Sequence, residues 1–226
     1  MENSSFKFIC ALCFCFVSIS SNAQGIFQDE NGRPLEAIHY TDVKGSPFLA
    51  DNWTKGKVKL ADGESFDDMD LKYDQVTDQL IFKNSVGAAM AFAKPVNEFT
   101  LVSVGSPGIE SILFRNGYKP INGNTAKTFY QVLSDGETPL LKRTVKKVGE
   151  HKPYGSATVV KTFEEVHNFF LVQQGTPVKI RKDKQSILEA LKDYHPEVEE
   201  FVKSNNLNFK SEADLVMLVT YYNSLK

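Results

Sequence analysis

The densest run of chemistry-bearing side chains is acidic: Glu64, Asp67, Asp68, Asp70, Asp74 and Asp78 follow one another closely. Paired carboxylates hold a hard cation or do acid–base work on a sugar, so Asp67, Asp68 and Asp70 form a candidate cation-binding cluster. The alternating pattern around them puts Asp70 and Asp74 on the wet face of a strand. There, carboxylates also serve to discourage edge-to-edge aggregation, and a solvated edge is the simpler reading.

The second charged feature is basic. Lys142, Arg143, Lys146, Lys147, Lys179 and Arg181 make a candidate anion-binding patch, extended by Lys152, Lys182 and Lys184. It suits an anionic glycan, a lipid head group or an acidic partner. No aromatic stacking platform is interleaved with it, as single-strand nucleic-acid binders require, so no nucleic-acid partner is expected. A solvated strand face, or pairing with the acidic run at ~0–1 kcal/mol per exposed pair, explains it as well.

Other chemistry is sparse. His39, His151, His167 and His195 have no helical or strand spacing for a shared metal, and none stands in a metalloprotease pattern. Asp29-Glu30-Asn31-Gly32 lacks the alternating oxygen ligands of a calcium loop and reads as a turn. There is no Gly-x-Ser-x-Gly elbow and no phosphate-cradling glycine loop. No catalytic residue, cofactor or metal is therefore expected, although a nucleophile–base pair assembled from distant residues stays open. The aromatic residues Phe82, Phe92, Phe99, Phe114, Tyr130, Phe163, Phe169 and Phe170 either fill a core or line a cavity in a curved sheet.

The elements that position these groups are strands first. Val58 and Leu60 alternate with Lys57 and Lys59, then Met69, Leu71 and Tyr73 alternate with Asp70, Lys72 and Asp74. Asp62-Gly63 is the turn between them, because glycine takes positive φ freely. Leu80–Lys83, Ala88–Ala93, Phe99–Val104 and Ser111–Phe114 continue the sheet. Two hairpins follow: Thr128–Leu133 with Leu140–Val148 through Asp135-Gly136, and His167–Val172 with Val178–Arg181 through Gln174-Gly175. From Asp183 the period changes to about 3.6. Asp183 caps a first helix with Ile187, Leu188 and Leu191 on one face. Pro196 opens a second, carrying Val198, Phe201 and Val202. Ser211, with Asp214 three residues on, opens a third, carrying Leu215, Leu218, Val219 and Tyr222.

Strands followed by helices predict an α+β fold: an antiparallel meander, as a curved sheet or partial barrel, and then about three C-terminal helices. One domain is expected over 24–226, with an irregular lead-in over 24–55, a β-rich part over 56–182 and a helical part over 183–226.

The N-terminus reads as a secretory signal, with Lys7, an apolar run from Phe8 to Ile19, and Ser21-Asn22-Ala23 before a cut between Ala23 and Gln24. The run is too short for the roughly 20 residues of a spanning helix. All three cysteines, Cys10, Cys13 and Cys15, lie inside it. The mature chain is then cysteine-free, with no disulfide, no thiolate metal site and no membrane span. The net charge of −2 argues for no global field toward nucleic acid or membranes.

Three phrases together resemble a group of uncharacterised exported proteins of Bacteroidota. They are Gly56-Lys57-Val58-Lys59-Leu60-Ala61-Asp62-Gly63 with Leu71-Lys72-Tyr73-Asp74, Tyr130 to Gly136 with Leu140-Leu141-Lys142-Arg143, and Tyr221-Tyr222-Asn223-Ser224-Leu225. The resemblance implies a Gram-negative location, periplasmic or at the cell surface, and transfers no activity and no catalytic residue. The expectation is a non-catalytic binding or interaction protein of the envelope, its protein partner unspecified. The alternatives are a carrier of an apolar ligand between sheet and helices, and a hydrolase acting on an envelope polymer.

Overall fold

The computed structural model describes residues 32–35, 40, 42–105, 108–152, 154, 155 and 158–226. The proposed signal, with its Ala23–Gln24 cut, and His39 lie outside them. Among the described residues, twelve strands precede three helices: β1 Gly32–Pro34, β2 Val43–Lys44, β3 Thr54–Leu60, β4 Ser65–Asp74, β5 Gln79–Lys83, β6 Ala89–Phe92, β7 Val96–Gly105, β8 Gly108–Arg115, β9 Tyr130–Ser134, β10 Leu140–His151, β11 Val160–Gln173 and β12 Thr176–Ile180, then α1 Lys184–Ala190, α2 His195–Ser204 and α3 Glu212–Ser224. The fold is α+β, built on one open sheet.

The strands are not a simple meander. Their order is β1-β6-β5-β4-β3-β7-β8-β9-β10-β11-β12, and β2 joins β11 in parallel, which makes the sheet mixed. From β3 the chain runs outward through β4, β5 and β6, then returns past Pro95 to lay β7 on the free edge of β3. Gly56 permits this sandwiching. A Cβ there would overlap the carbonyl oxygen of Thr100 on β7 and come within 2.8 Å of Leu71 on β4, so the central strand carries no side chain where its neighbours press closest.

Period two predicts β3 well: Gly56, Val58 and Leu60 are buried and the residues between them exposed. In β4 the alternation is broken by a bulge. Val58 pairs with Phe66 but Gly56 pairs with Met69, so β4 carries one extra residue. Asp68, at φ 55°, supplies the left-handed turn of the chain, a conformation that aspartate tolerates better than most residues.

Three apolar clusters hold the sheet and helices. Tyr73, Phe99, Phe114 and Phe129 pack ring against ring over Leu71, Leu80 and Val58. Tyr130, Leu141, Phe170 and Val172 form a small second cluster. The third lies between sheet and helices: Leu140, Phe169, Leu171 and Ile180 meet Ile187, Leu191, Val198, Leu215, Leu218 and Tyr222. The helix signals operate as expected. The carboxylate of Asp183 accepts from the backbone N–H of Ser186 at 2.8 Å, and the hydroxyl of Ser211 accepts from Asp214 N–H at 3.3 Å. Asp214 does not complete a capping box, because its carboxylate accepts from Asn208 N–H instead.

Two expectations about placement need correction. Asp74 is buried, not on a wet face, because the chain at Phe48 bridges to it. Phe201 is only half-buried and stacks on Tyr221 at 4.0 Å, leaving Val198 as the residue of α2 that is fully enclosed.

Candidate functional site

The acidic run separates into two populations. Asp67 pairs with Lys57 at 3.2 Å, Asp68 with Lys55 at 3.6 Å, and Asp70 with Lys55 at 3.3 Å and Lys83 at 3.5 Å. The hydrogen bond from Lys55 holds the Asp70 carboxyl below its ordinary pKa. Lysine ammonium groups thus occupy the places a cation would take beside Asp67, Asp68 and Asp70, and the bulge at Asp68 turns it outward to solvent. Among the described residues, no three His, Cys, Asp or Glu side chains stand together as a metal-holding group.

Asp74 and Asp78 work in the interior instead. Asp74 accepts from the N–H groups of Val76 and Thr77 at 2.8 and 3.1 Å and so caps the β4–β5 turn. Asp78, at φ 59° at the end of that turn, accepts from the Tyr73 hydroxyl at 2.5 Å and from Phe129 N–H at 3.4 Å. Burial pushes its carboxyl pKa up, against the opposing effects of these donors and of Arg143, 3.7 Å away. Arg143 also donates to Asn124, whose amide donates to the Tyr130 hydroxyl at 2.8 Å. This chain of polar groups ties the first apolar cluster to the second, and sequence reasoning missed it. Its one legible signal was the turn-forming pair Asp74 and Asp78, flanking Gln75-Val76-Thr77.

The structure does not bring the basic residues into one patch. Strand alternation sends Lys142 and Lys146 to one face of β10 and Arg143 and Lys147 to the other. Lys142 pairs with Glu212 of α3 at 2.8 Å, and Arg181 with Asp183 at 2.9 Å. Lys146 is buried; its ammonium donates to the carbonyls of Ser46 and Phe48 at 3.1 and 2.5 Å and meets Glu165 at 3.3 Å. Lys147 and Lys179 are exposed, with no ion pair among the described residues.

The histidines are equally dispersed. His167 lies 2.9 Å from the Thr144 hydroxyl and 3.6 Å from Glu165 on an exposed strand. His151 ends β10, and His195 begins α2. The aromatic residues pack chiefly on one another: Phe99 stacks on Phe114 at 4.7 Å, and Tyr130 meets Phe170 edge-on at 5.4 Å.

What stands out is the β10–β11 hairpin. The two strands pair from Leu140 with Leu171 to His151 with Val160. β9 covers only Leu140–Lys142 of β10, and β12 only Phe169–Gln173 of β11. The remainder is a two-stranded arm. It is steadied by a bond from Lys146 N–H to the Gln75 carbonyl at 3.1 Å, by β2 along Lys161 and Thr162, and by Tyr40 edge-on to Phe163 at 5.1 Å. Val148, Val159 and Val166 on the arm are 42%, 50% and 43% exposed, and Tyr154 beyond the end of β10 is fully exposed. Among the described residues, no strand covers the edge of β11 from Phe163 to Asn168, between β2 and β12. Sequence reasoning began this strand at His167. The charged residues Lys161, Glu164 and Glu165 mask the periodicity of a strand whose residues from Glu164 to His167 are exposed on both faces.

Comparison with known protein families, with curated proteins and with solved structures gives no match.

Proposed function

We propose that this chain is an exported, non-catalytic protein of the cell envelope that works by binding another protein, and that the β10–β11 arm is its docking element. The observation that carries this reading is the arm itself. A two-stranded ribbon is marginal in water unless something covers it, yet here exposed valines on both faces and a tyrosine beyond the strand end are left to solvent. Val148 on one face and Val166 on the other give a partner that wraps this ribbon apolar contacts on either side of the edge. The uncovered edge of β11 spans about 20 Å at ~3.3 Å per residue. It can give backbone hydrogen bonds to one further strand, as in recognition by β-augmentation. The partner is a protein that offers an extended apolar strand to this edge. The converging polar groups at Asp78 are already satisfied by one another, which favours a structural role for them over catalysis. The signal-like N-terminus and the resemblance to exported Bacteroidota proteins support the envelope location.

The reading is tested by placing a photo-crosslinking amino acid at Tyr154, Val148 or Val166, with Lys59 on the exposed face of β3 as control, in cells that make the protein. A discrete adduct with an envelope protein at arm positions and none at position 59 is expected. Equal adducts at all positions, or none on the arm, would exclude it; an adduct with a second copy of this chain would replace the foreign partner with self-association.

A further inference from the structure

We infer a second, independent binding site for a small organic anion with an apolar body, in the cleft beneath the β6–β7 turn. The cleft has a volume of about 530 Å³, within the roughly 300–1,000 Å³ range of small-molecule sites. It lies far along the sheet order from the arm, and its existence does not rest on protein docking there.

Its base is apolar: Leu80 of β5, Phe92 of β6, Val96 of β7 and Phe129 from the loop before β9 all reach it. These side chains belong to the edge of the largest aromatic cluster, so the base is rigid. An apolar ligand body would replace water there with contacts to packed rings and methyl groups.

The rim selects charge. Arg33 on β1, Lys94 in the turn and Lys127 in the opposite loop all line the cleft. Lys94 is more than neutralised by Asp62 at 2.8 Å and Glu64 at 2.9 Å, which do not line the cleft, and these bonds raise its pKa further. Arg33 and Lys127 are exposed and have no acidic partner among the described residues. Of the described carboxylates, Asp78 alone lines the cleft, and its oxygens are turned to Tyr73, Phe129 N–H and Arg143. The free charge at the mouth is therefore positive. Asn97 and Gln79 add neutral amides, which suit a carboxylate or other oxyanion without competing for it.

Lys55, Lys57 and Lys83, on the neighbouring strands β3 and β5, are matched by nearby carboxylates, so they add no free charge there. Arg33 and Lys127, unmatched among the described residues, stand at one apolar cleft and form an amphipathic complement. A neutral ligand of the same shape would leave them solvated and gain nothing from them; a cation would be repelled.

Octanoate is a suitable probe, compared with octyl glucoside and octyltrimethylammonium, by heteronuclear NMR titration of the full mature chain. Shifts confined to Leu80, Phe92, Val96 and Phe129 are expected for octanoate, weakening with added salt. The double variant Arg33→Ala/Lys127→Ala should bind it about tenfold more weakly, since two exposed charge contacts are lost. Both side chains are exposed, so the variant should fold. Arg33→Lys/Lys127→Arg keeps both charges and should bind as the natural chain does, while Ala93→Trp should block the cleft. No saturable shift below about ten millimolar, equal binding of octyl glucoside, or unchanged affinity in the double alanine variant would overturn the inference.

Discussion

The hydroxyl of Tyr73 on β4 donates to the carboxylate of Asp78, five residues on, at 2.5 Å. Tyr73 is buried and Asp78 is half-buried at the edge of the cleft. Desolvation raises the pKa of each, so the two oxygens are held together by a hydrogen bond partly shielded from water, where such bonds are strengthened and unmet groups are costly. Tyr73 also packs against Phe99 and Phe114. The β4–β5 turn is thus locked to the main aromatic cluster by one side chain. Tyr73→Phe keeps the ring and removes the donor from a half-buried carboxylate. It should cost about 1–3 kcal/mol in chemical denaturation; a loss below about 0.5 kcal/mol would show that Asp78 is satisfied without it.

Asp78 and Asp135 should respond to pH with opposite signs. Burial raises the folded-state pKa of Asp78. Its contribution is complete below the unfolded value of about 3.9 and is lost as pH rises through the raised folded value. The Asp135 carboxyl is lowered by hydrogen bonds from the Arg115 guanidinium, at 3.0 and 3.1 Å. Its contribution is complete above about 3.9 and is lost as pH falls through the lowered value. Melting curves from pH 2.5 to 7 should show the natural chain gaining on Asp78→Asn as pH falls, and losing ground to Asp135→Asn below about pH 4. Difference curves of the same sign would contradict the assignment.

Most of the architecture was legible because local signals and burial agree. Val58 and Leu60 alternate with lysines on a strand with one dry face, Asp62-Gly63 makes its turn, and Asp183 and Ser211 cap helices where they stand in the sequence. Topology was less legible. Nothing in the periodicity of Phe99 or Leu101 reveals that β7 returns to the free edge of β3; that is set by the fit of Gly56 under Thr100. The charged residues were the least legible. Sequence proximity grouped Asp70 with Asp78, and Lys142 with Arg143, yet the bulge at Asp68 and the alternation of β10 send each pair into different surroundings. The amphipathic cleft draws Arg33, Leu80 and Lys127 from three separate segments, and no spacing rule connects them.

Gly56→Ala tests the return topology directly. The added methyl meets the Thr100 backbone, which cannot rotate away as a side chain can. A cost of about 1–3 kcal/mol or more is expected from overpacking, whereas Lys59→Ala, on the exposed face of the same strand, should fall within about 0.5 kcal/mol of the natural chain. Urea denaturation of the two variants side by side gives the comparison; similar midpoints would mean that β3 and β7 are not tightly paired.

The proposed export has its own check. The small residues Ser21 and Ala23 suit a signal-peptidase cut, so intact mass spectrometry of the protein from the envelope fraction should give a chain beginning at Gln24. A product that retains Met1 to Ile19 in the membrane would remove the basis for envelope placement.

The C-terminal helices should prove inseparable from the sheet. Val198 and Leu191 are fully enclosed, and Tyr222 sits edge-on to Tyr194 at 5.7 Å, above Leu140 and Leu171. Helices this short are unstable alone, and without them Leu140, Phe169, Leu171 and Ile180 would face water. Two substitutions on α2 rank the contacts. Val198→Ala, in the enclosed position, should cost about 2–3 kcal/mol. Phe201→Ala should fall below the roughly 3–5 kcal/mol of a fully buried phenylalanine, because its ring is half-exposed and chiefly stacks on Tyr221. Truncation after Lys182 goes further. It should leave a chain that aggregates or loses its cooperative melting transition. If that chain instead melts at the temperature of the full protein and stays monomeric, the helical layer is a detachable module and the sheet holds itself together without it.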